Sequence, residues 1–172
     1  MITFITGGVR SGKSGFAQQL ALSLSKNPVY IATSRIWDDD FAERVKRHQN
    51  ERGPEWTNYE ASSNLHALPL ENKVVVIDCV TLWLTNYFTD FDSDIFKSLE
   101  AFKNEIYLLS KINATIIIIS NEIGMGLHGD TPIGRKFSDL QGWANQYVAE
   151  KAEEAIFMVS GLPLFLKQKP AP

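Results

Sequence analysis

The chain opens with "MITFITGGVRSGKS", an apolar, β-branched run that breaks into glycines and ends in Gly12-Lys13-Ser14. From Gly7 the spacing is G-x-x-x-x-G-K-[ST], the pattern of a loop that wraps phosphate groups. Context strengthens it. "MITFIT" reads as a buried strand, and "SGFAQQLALSLSK" carries Phe16, Leu20, Leu22 and Leu24 at roughly helical spacing. Gly7, Gly8 and Gly12 let the backbone turn its N–H groups inward. The helix start adds partial positive charge. Lys13 reaches outer phosphates, and the Ser14 hydroxyl suits magnesium. The competing reading is a glycine turn that binds nothing.

A strand that passes through such a turn into a helix implies an α/β fold, and the rest of the chain repeats the alternation. "NPVYIATS", "KVVVIDC", "ATIIIIS" and "EAIFMVS" are near-continuous apolar runs, as expected for parallel strands buried on both faces. "DDDFAERVKRHQNE" starts with three acids, where a helix begins. "DIFKSLEAFKNEIYLLSKI" sets Ile95, Leu99, Phe102, Ile106 and Leu109 on one face. "PIGRKFSDLQGWANQYVAEKAEE" begins with Pro132, which suits a first helical turn. "VSGLP" reads as a turn into a short last strand, "LFLK". The expected fold is a doubly wound, mostly parallel sheet flanked by helices, with a C-terminal edge strand. The 172 residues fit one domain, 1–172.

Bulk properties exclude some functions. A net charge of -3 and a pI near 5.6 argue against nucleic acid as the main partner. Cys79 is the only cysteine, so no intrachain disulfide forms. No apolar run approaches the roughly 20 residues that span a membrane. Because the first strand enters the glycine loop directly, no signal peptide is expected. The expectation is a soluble, cytoplasmic protein.

Ligands in such sheets sit beyond the carboxyl ends of the strands. Asp78, after "VVVI", stands where a second acid for magnesium is expected, or it caps the following helix. Thr33 and Ser34 end "YIATS" and either touch a nucleotide or cap a helix. Asn121 and Glu122, beside Gly124 and Gly126, form a substrate loop or a plain turn. His48 shares a helical face with Phe41 and Val45 and is surrounded by Arg44, Lys46, Arg47 and Arg52. It is a histidine packed at the core edge, or a neutral imidazole nucleophile beside a phosphate site. His66 and His128 lack such company.

Read in order, "TGGVRSGKS", "YIATS", "DDDFAERVKRHQ", "VIDCVTLWLTN", "SNEIGMG", "GRKFSDLQGWANQ" and "VSGLPLFLK" resemble the bifunctional adenosylcobinamide kinase/adenosylcobinamide-phosphate guanylyltransferase family over nearly the whole chain. The resemblance implies a P-loop NTPase-like fold and a cytoplasmic enzyme of cobalamin biosynthesis. It implies phosphorylation of adenosylcobinamide with ATP or GTP, then transfer of GMP from GTP to that phosphate, with Mg2+ as the metal. It implies a homotrimer. His48 matches the guanylylated histidine. Gly7, Gly8, Val9, Arg10, Ser11, Gly12, Lys13 and Ser14 match the phosphate loop. Ala32, Thr33 and Ser34, the segment Gln49, Asn50, Glu51 and Arg52, and then Glu60 and Asp78 match nucleotide contacts. The expected metal residues are Ser14 and Asp78 and the expected catalytic ones His48 and Lys13, while the strand-end position of Asn121 and Glu122 beside glycines makes them the expected substrate-side pair.

The chain departs from the family pattern at Arg47, where many members have a second histidine. It also departs in "LHGDTPIGR" after Gly126, and at Trp143, which replaces a common arginine. Guanine preference rests on the resemblance, since no N-K-x-D base-reading motif occurs. The rival reading is a small-molecule P-loop kinase without a covalent step, in which His48 is idle.

Overall fold

The computed structural model describes residues 1–35, 52–126 and 129–168. The helix expected over "DDDFAERVKRHQNE", with His48, Gln49, Asn50 and Glu51, lies outside the described residues.

Near-continuous apolar strands need cover on both faces, and the chain supplies it. The described order is β1 (Ile2–Gly7), α1 (Lys13–Leu24), β2 (Val29–Ala32), β3 (Thr57–Glu60), a 3-10 turn (Leu65–Ala67) and β4 (Val74–Asp78). Then come α2 (Val80–Asp90), α3 (Ile95–Leu109), β5 (Thr115–Asn121), α4 (Pro132–Lys151), β6 (Glu154–Val159) and β7 (Leu162–Lys167). The strands form one sheet in the order β3-β2-β4-β5-β1-β6-β7. Every pair is parallel except β6–β7. This is the doubly wound sheet with a C-terminal edge strand that the sequence pattern implies.

The central strand β5 shows why the apolar runs are continuous. Ile116 and Ile118 pack with Trp83, Phe102, Ile106 and Leu140 of α2, α3 and α4. Ile117 and Ile119, one residue out of phase, pack with Ile5, Val76 and α1 on the other face. Trp83 and Phe102, both fully buried, meet edge to face with ring centroids 5.1 Å apart.

Two elements differ from expectation. β3 is a seventh strand that "TNYE" does not advertise, because it is an edge strand with mostly exposed side chains. α1 packs through Ala17 and Ala21, while Leu22 and Leu24 remain 42% and 51% exposed. Lys13, Ala17 and Ala21 form one stripe at four-residue spacing. Small side chains on that stripe let the helix lie close against β4 and β5, and so bring Lys13 to the loop. Side-chain caps start α3 and α4, whereas α2 has none. Asp94 accepts N–H bonds from Phe96 and Lys97. Thr131 caps α4 through the Gly134 N–H, with Pro132 in the first turn.

Phe102→Ala should cost about 3–5 kcal/mol, since it leaves a cavity against Trp83 in a fully buried layer. Urea unfolding at equilibrium measures it. A loss below about 1 kcal/mol would mean the α3 layer collapses to fill the space.

Candidate active site

The sheet register assembles the site. Gly7 lies beside Asn121, Asp78 beside Ile119, Ala32 beside Asp78 and Glu60 beside Ala32. All these residues stand at the carboxyl edge of the sheet. β5 separates the glycine-loop strand from the Asp78 strand, so Asn121 is inserted between loop and acid.

Glycine is required in the loop at two positions. A side chain on Gly7 would run into the Met158 carbonyl of the neighbouring strand. Gly12 has φ 96°, and a Cβ there would lie 3.2 Å from Gly161 Cα. The turn between β6 and β7 therefore buttresses the loop from outside, and the Gly161 N–H donates to the Ser11 carbonyl at 3.0 Å. α1 begins at Gly12 with no side-chain cap, leaving its first N–H groups available to an anion.

Lys13 Nζ donates to the Gly8 carbonyl at 2.6 Å and to Ser11 Oγ at 3.4 Å. Burial lowers its pKa below the ordinary lysine value, opposed in part by Cys79 and Asp78. Val9 to Gly15 and Asn121 line a cavity of about 380 Å3. A larger groove of about 470 Å3 lies between α3 and α4, walled by Phe96, Leu99, Trp143 and Tyr147. It holds Lys103 and Glu150 but no glycine loop of backbone N–H groups, and that loop is what suits the smaller cavity to phosphate.

Ser14 Oγ donates to Asp78 Oδ2 at 3.0 Å. The Tyr30 hydroxyl donates to the same oxygen at 2.6 Å. The Arg52 guanidinium lies 3.7 Å over the Tyr30 ring, and its Nε donates to Asn58 Oδ1 at 2.8 Å. Trp56 meets the Tyr30 ring edge to face at 5.9 Å. Burial first, then Asp78, raises the Tyr30 phenol far above its ordinary pKa, so it stays a donor. Burial pushes the Cys79 thiol up to about 12, which removes it as a nucleophile at neutral pH.

Magnesium fits this pair. It keeps several waters and takes one or two protein oxygens together with phosphates. Ser14 and Asp78 supply two oxygens at the mouth of the loop. Among the described residues no cluster of three His, Cys, Asp or Glu forms an all-protein metal cage. Asp78 does not cap α2, which starts at Cys79 without a side-chain cap.

The remaining expected residues separate. Asn121 lines the phosphate cavity, and its Nδ2 donates to Thr81 Oγ1 at 3.2 Å. Glu122 turns away to accept the Gly124 N–H at 2.7 Å. Thr33 is fully buried and spends its hydroxyl on the Cys79 carbonyl at 2.8 Å. Asn86 donates to the Thr33 carbonyl at 2.7 Å and pins that strand end. Ala32 and Ser34 are partly exposed, and Glu60 ends the outermost strand. Val9 is 84% exposed at the rim of the loop.

Sequence reasoning missed Tyr30 and a buried polar cluster behind Asn121. Gln141 Nε2 donates to Ser120 Oγ at 2.9 Å and to Asn145 Oδ1 at 3.0 Å. Asn145 Nδ2 donates in turn to the Asn121 carbonyl at 3.2 Å. The available signal was chemical. A tyrosine inside an apolar strand must find a partner for its hydroxyl, and amides four apart on an otherwise core-facing stripe must bond to something buried.

A mostly parallel α/β sheet with a glycine loop, an invading lysine and a hydroxyl–carboxylate pair at its carboxyl edge defines a P-loop nucleotide-binding protein. Solved structures share the fold. The flagellar accessory protein FlaH of Methanocaldococcus jannaschii superposes with a TM-score of 0.53 at 14% identity, over 98% of this chain and 78% of that one. A second solved structure, an ATPase domain, gives 0.50 at 11% identity, over 99% and 78%. The sequence narrows the class. A profile of the cobinamide kinase / cobinamide phosphate guanyltransferase family matches residues 3–166. The bifunctional adenosylcobalamin biosynthesis protein CobU of Escherichia coli (strain K12) is 35% identical over 97% of this chain and 100% of its own length. The bifunctional adenosylcobalamin biosynthesis protein CobP of Pseudomonas aeruginosa is 33% identical over 99% of each. The chain belongs to the cobinamide kinase / cobinamide phosphate guanyltransferase family, and it is an enzyme.

The buried ammonium of Lys13 has a measurable cost. Its folded pKa is lowered from 10.5, so the unfolded chain holds the proton more tightly. The penalty is complete below the folded pKa and fades as pH rises through that value toward 10.5. Lys13→Met should therefore raise the urea midpoint of the nucleotide-free protein near neutral pH, with the advantage shrinking as pH rises. The same variant should lose stabilisation by added GTP. A midpoint that falls in Lys13→Met would show that the bonds to Gly8 and Ser11 outweigh desolvation.

Proposed function

We propose that this enzyme phosphorylates adenosylcobinamide with ATP or GTP, and then transfers GMP from GTP to the new phosphate, giving adenosylcobinamide-GDP and pyrophosphate. The observation that carries the reading is the Ser14–Asp78 hydrogen bond at the mouth of the glycine loop, in a chain that belongs to this family. One phosphate clamp serves both reactions, because each has a nucleotide polyphosphate as donor.

In the kinase step the aminopropanol hydroxyl attacks the γ-phosphorus. The O–P bond to it forms, the bond to the β,γ-bridging oxygen breaks and leaves that oxygen on the nucleoside diphosphate, and the hydroxyl proton passes to solvent. Lys13 and the N–H groups of the loop neutralise the charge that develops on the departing phosphates. Ser14 and Asp78 would hold Mg2+, which supplies further charge neutralisation when bound. Asn121, held between loop and acid, is placed to orient the transferred group or the attacking oxygen.

In the guanylyl step neutral His48 attacks the α-phosphorus of GTP. An N–P bond forms and pyrophosphate leaves, still gripped by the loop. The phosphate of the first product then attacks the histidine adduct, forming a P–O–P bond and freeing the imidazole. Gln49, Asn50, Glu51, Arg52, Glu60, Ala32 and Ser34 complete the nucleotide contacts in this reading. The same reading sets the enzyme in the cytoplasm as a homo-oligomer, a homotrimer by its family. No helix among the described residues is long and apolar enough to cross a membrane.

Incubation with GTP labelled at the α-phosphate, followed by peptide mapping, tests the covalent step. The label should attach to His48 before any cobinamide is added, and be labile in acid but stable in base. His48→Ala should lose adduct and guanylyl transfer while keeping kinase activity. An adduct retained in His48→Ala would move the covalent step to another residue, and absence of the adduct from the unaltered enzyme would favour a kinase without a covalent step.

Asn121 and Glu122 should separate in their effects. Asn121→Ala should lower kcat of the kinase by about ten-fold or more, as the loss of one positioned polar contact in the transition state. Glu122→Gln should raise KM for cobinamide more than KM for GTP. Steady-state kinetics with each substrate varied would expose the opposite pattern.

A further inference from the structure

We propose that Tyr30 is a positioning residue for the metal pair: its phenol holds Asp78 Oδ2 as the fixed acceptor of the Ser14 hydroxyl, and so sets how much magnesium adds to nucleotide binding. The inference rests on the nucleotide reading above and assigns a residue that neither the loop motif nor the acid motif contains.

Two donors converge on one carboxylate oxygen. Tyr30 OH lies 2.6 Å from Asp78 Oδ2, and Ser14 Oγ lies 3.0 Å from it. The shorter bond comes from the more rigid donor. Tyr30 is 5% exposed on an inner strand, its ring is covered by the Arg52 guanidinium at 3.7 Å, and Trp56 abuts its edge. Arg52 is itself bonded to Asn58 of β3, so β2 and β3 brace the phenol together. Ser14, by contrast, is partly exposed at the cavity mouth and turns on a single torsion.

The consequence concerns proton direction. A serine hydroxyl serves a cation with its oxygen lone pairs, which requires its proton to point elsewhere. A carboxylate oxygen held in place gives that proton a permanent destination. Without the phenol, Asp78 can rotate about its terminal torsion, and the Ser14 proton is free to turn toward the cavity and oppose a cation. Tyr30 touches neither nucleotide nor ion in this arrangement, and acts through Asp78. The alternative is a purely structural role, in which a buried tyrosine hydroxyl merely takes the nearest acceptor. That role predicts lost stability with no change in the metal's contribution.

Titration calorimetry with GTP, in the presence and absence of magnesium, separates the two. The unaltered protein, Tyr30→Phe and Ile117→Val are compared. Phe keeps the ring between Arg52 and Trp56 and removes one oxygen. Ile117→Val is a mild core change in the same layer, remote in role from the metal pair. The gain in GTP affinity on adding magnesium should fall about ten-fold in Tyr30→Phe, the scale of one hydrogen bond to an ionised group. Metal-free GTP binding should be unchanged within about two-fold, which also reports that the variant is folded. Ile117→Val should keep the full gain, whatever its urea midpoint. A gain in Tyr30→Phe equal to that of the unaltered protein overturns the proposal, as does an equal fall in Ile117→Val. An unaltered protein that binds no GTP overturns the proposal together with the reading it rests on.

Discussion

The parallel pairing of β1 with β5, from Ile2 beside Ile116 to Gly7 beside Asn121, sets the spacings on which every other feature of the phosphate cavity depends. Neighbouring strands lie about 4.8 Å apart, and β5 stands between the loop strand and the Asp78 strand. Loop and acid are therefore two strand spacings apart at the sheet, and the first turn of α1 brings Ser14 back across that gap to Asp78. The alanine stripe on α1 permits this reach. Bulkier residues at Ala17 and Ala21 would lift the helix and stretch the Ser14–Asp78 bond.

The site concentrates charge where the rest of the sheet excludes it. Lys13, Asp78, Tyr30 and Arg52 meet on the α1 face, within an apolar layer of Ile5, Val76, Ile117 and Ile119. An isolated ion in such a layer is costly, and a hydrogen-bonded set is tolerated. On the opposite face, behind Asn121, Ser120, Gln141 and Asn145 form a neutral amide and hydroxyl cluster, while the buried Glu105 carboxyl is held away from the cavity by the Leu65 N–H and His66. Around the cavity, charged groups thus sit where phosphate and metal would meet them, and neutral ones stand behind Asn121, where only shape must be held. This division explains how Asn121 can be fixed from behind without adding charge to the cavity.

The sheet is legible in the sequence because its strands are buried on both faces, which leaves continuous apolar runs with polar residues only at their ends. Gly7, Asp78 and Asn121 can be located as strand ends for that reason. β3 is not legible, since "TNYE" is an edge strand that owes its place to pairing with β2 and not to burial. The packing face of α1 is hidden because leucine outweighs alanine in any hydrophobic pattern, whereas the requirement is close approach. The split between Asn121 and Glu122 is also invisible, because adjacent residues at a strand end point to opposite faces only while the strand continues. Tyr30 is masked in its strand by its own apolar ring. His48 and its neighbours are legible through the family pattern alone.

The contact between Gly161 and the glycine loop bears on how the molecule is made. Ribosomes release residues in numerical order, so Gly7 to Ser14 emerge well before Gly161 and both neighbours of β1. Until β5 and β6 arrive, the buried strand "ITFITG" has no partner on either edge. Until the last hairpin turns, Ser11 lacks the N–H that supports it. At roughly 5–20 residues per second this interval lasts several seconds or more. The nascent chain carries an unpaired apolar strand, and a nucleotide loop that stays unfinished until the β6–β7 hairpin has been made.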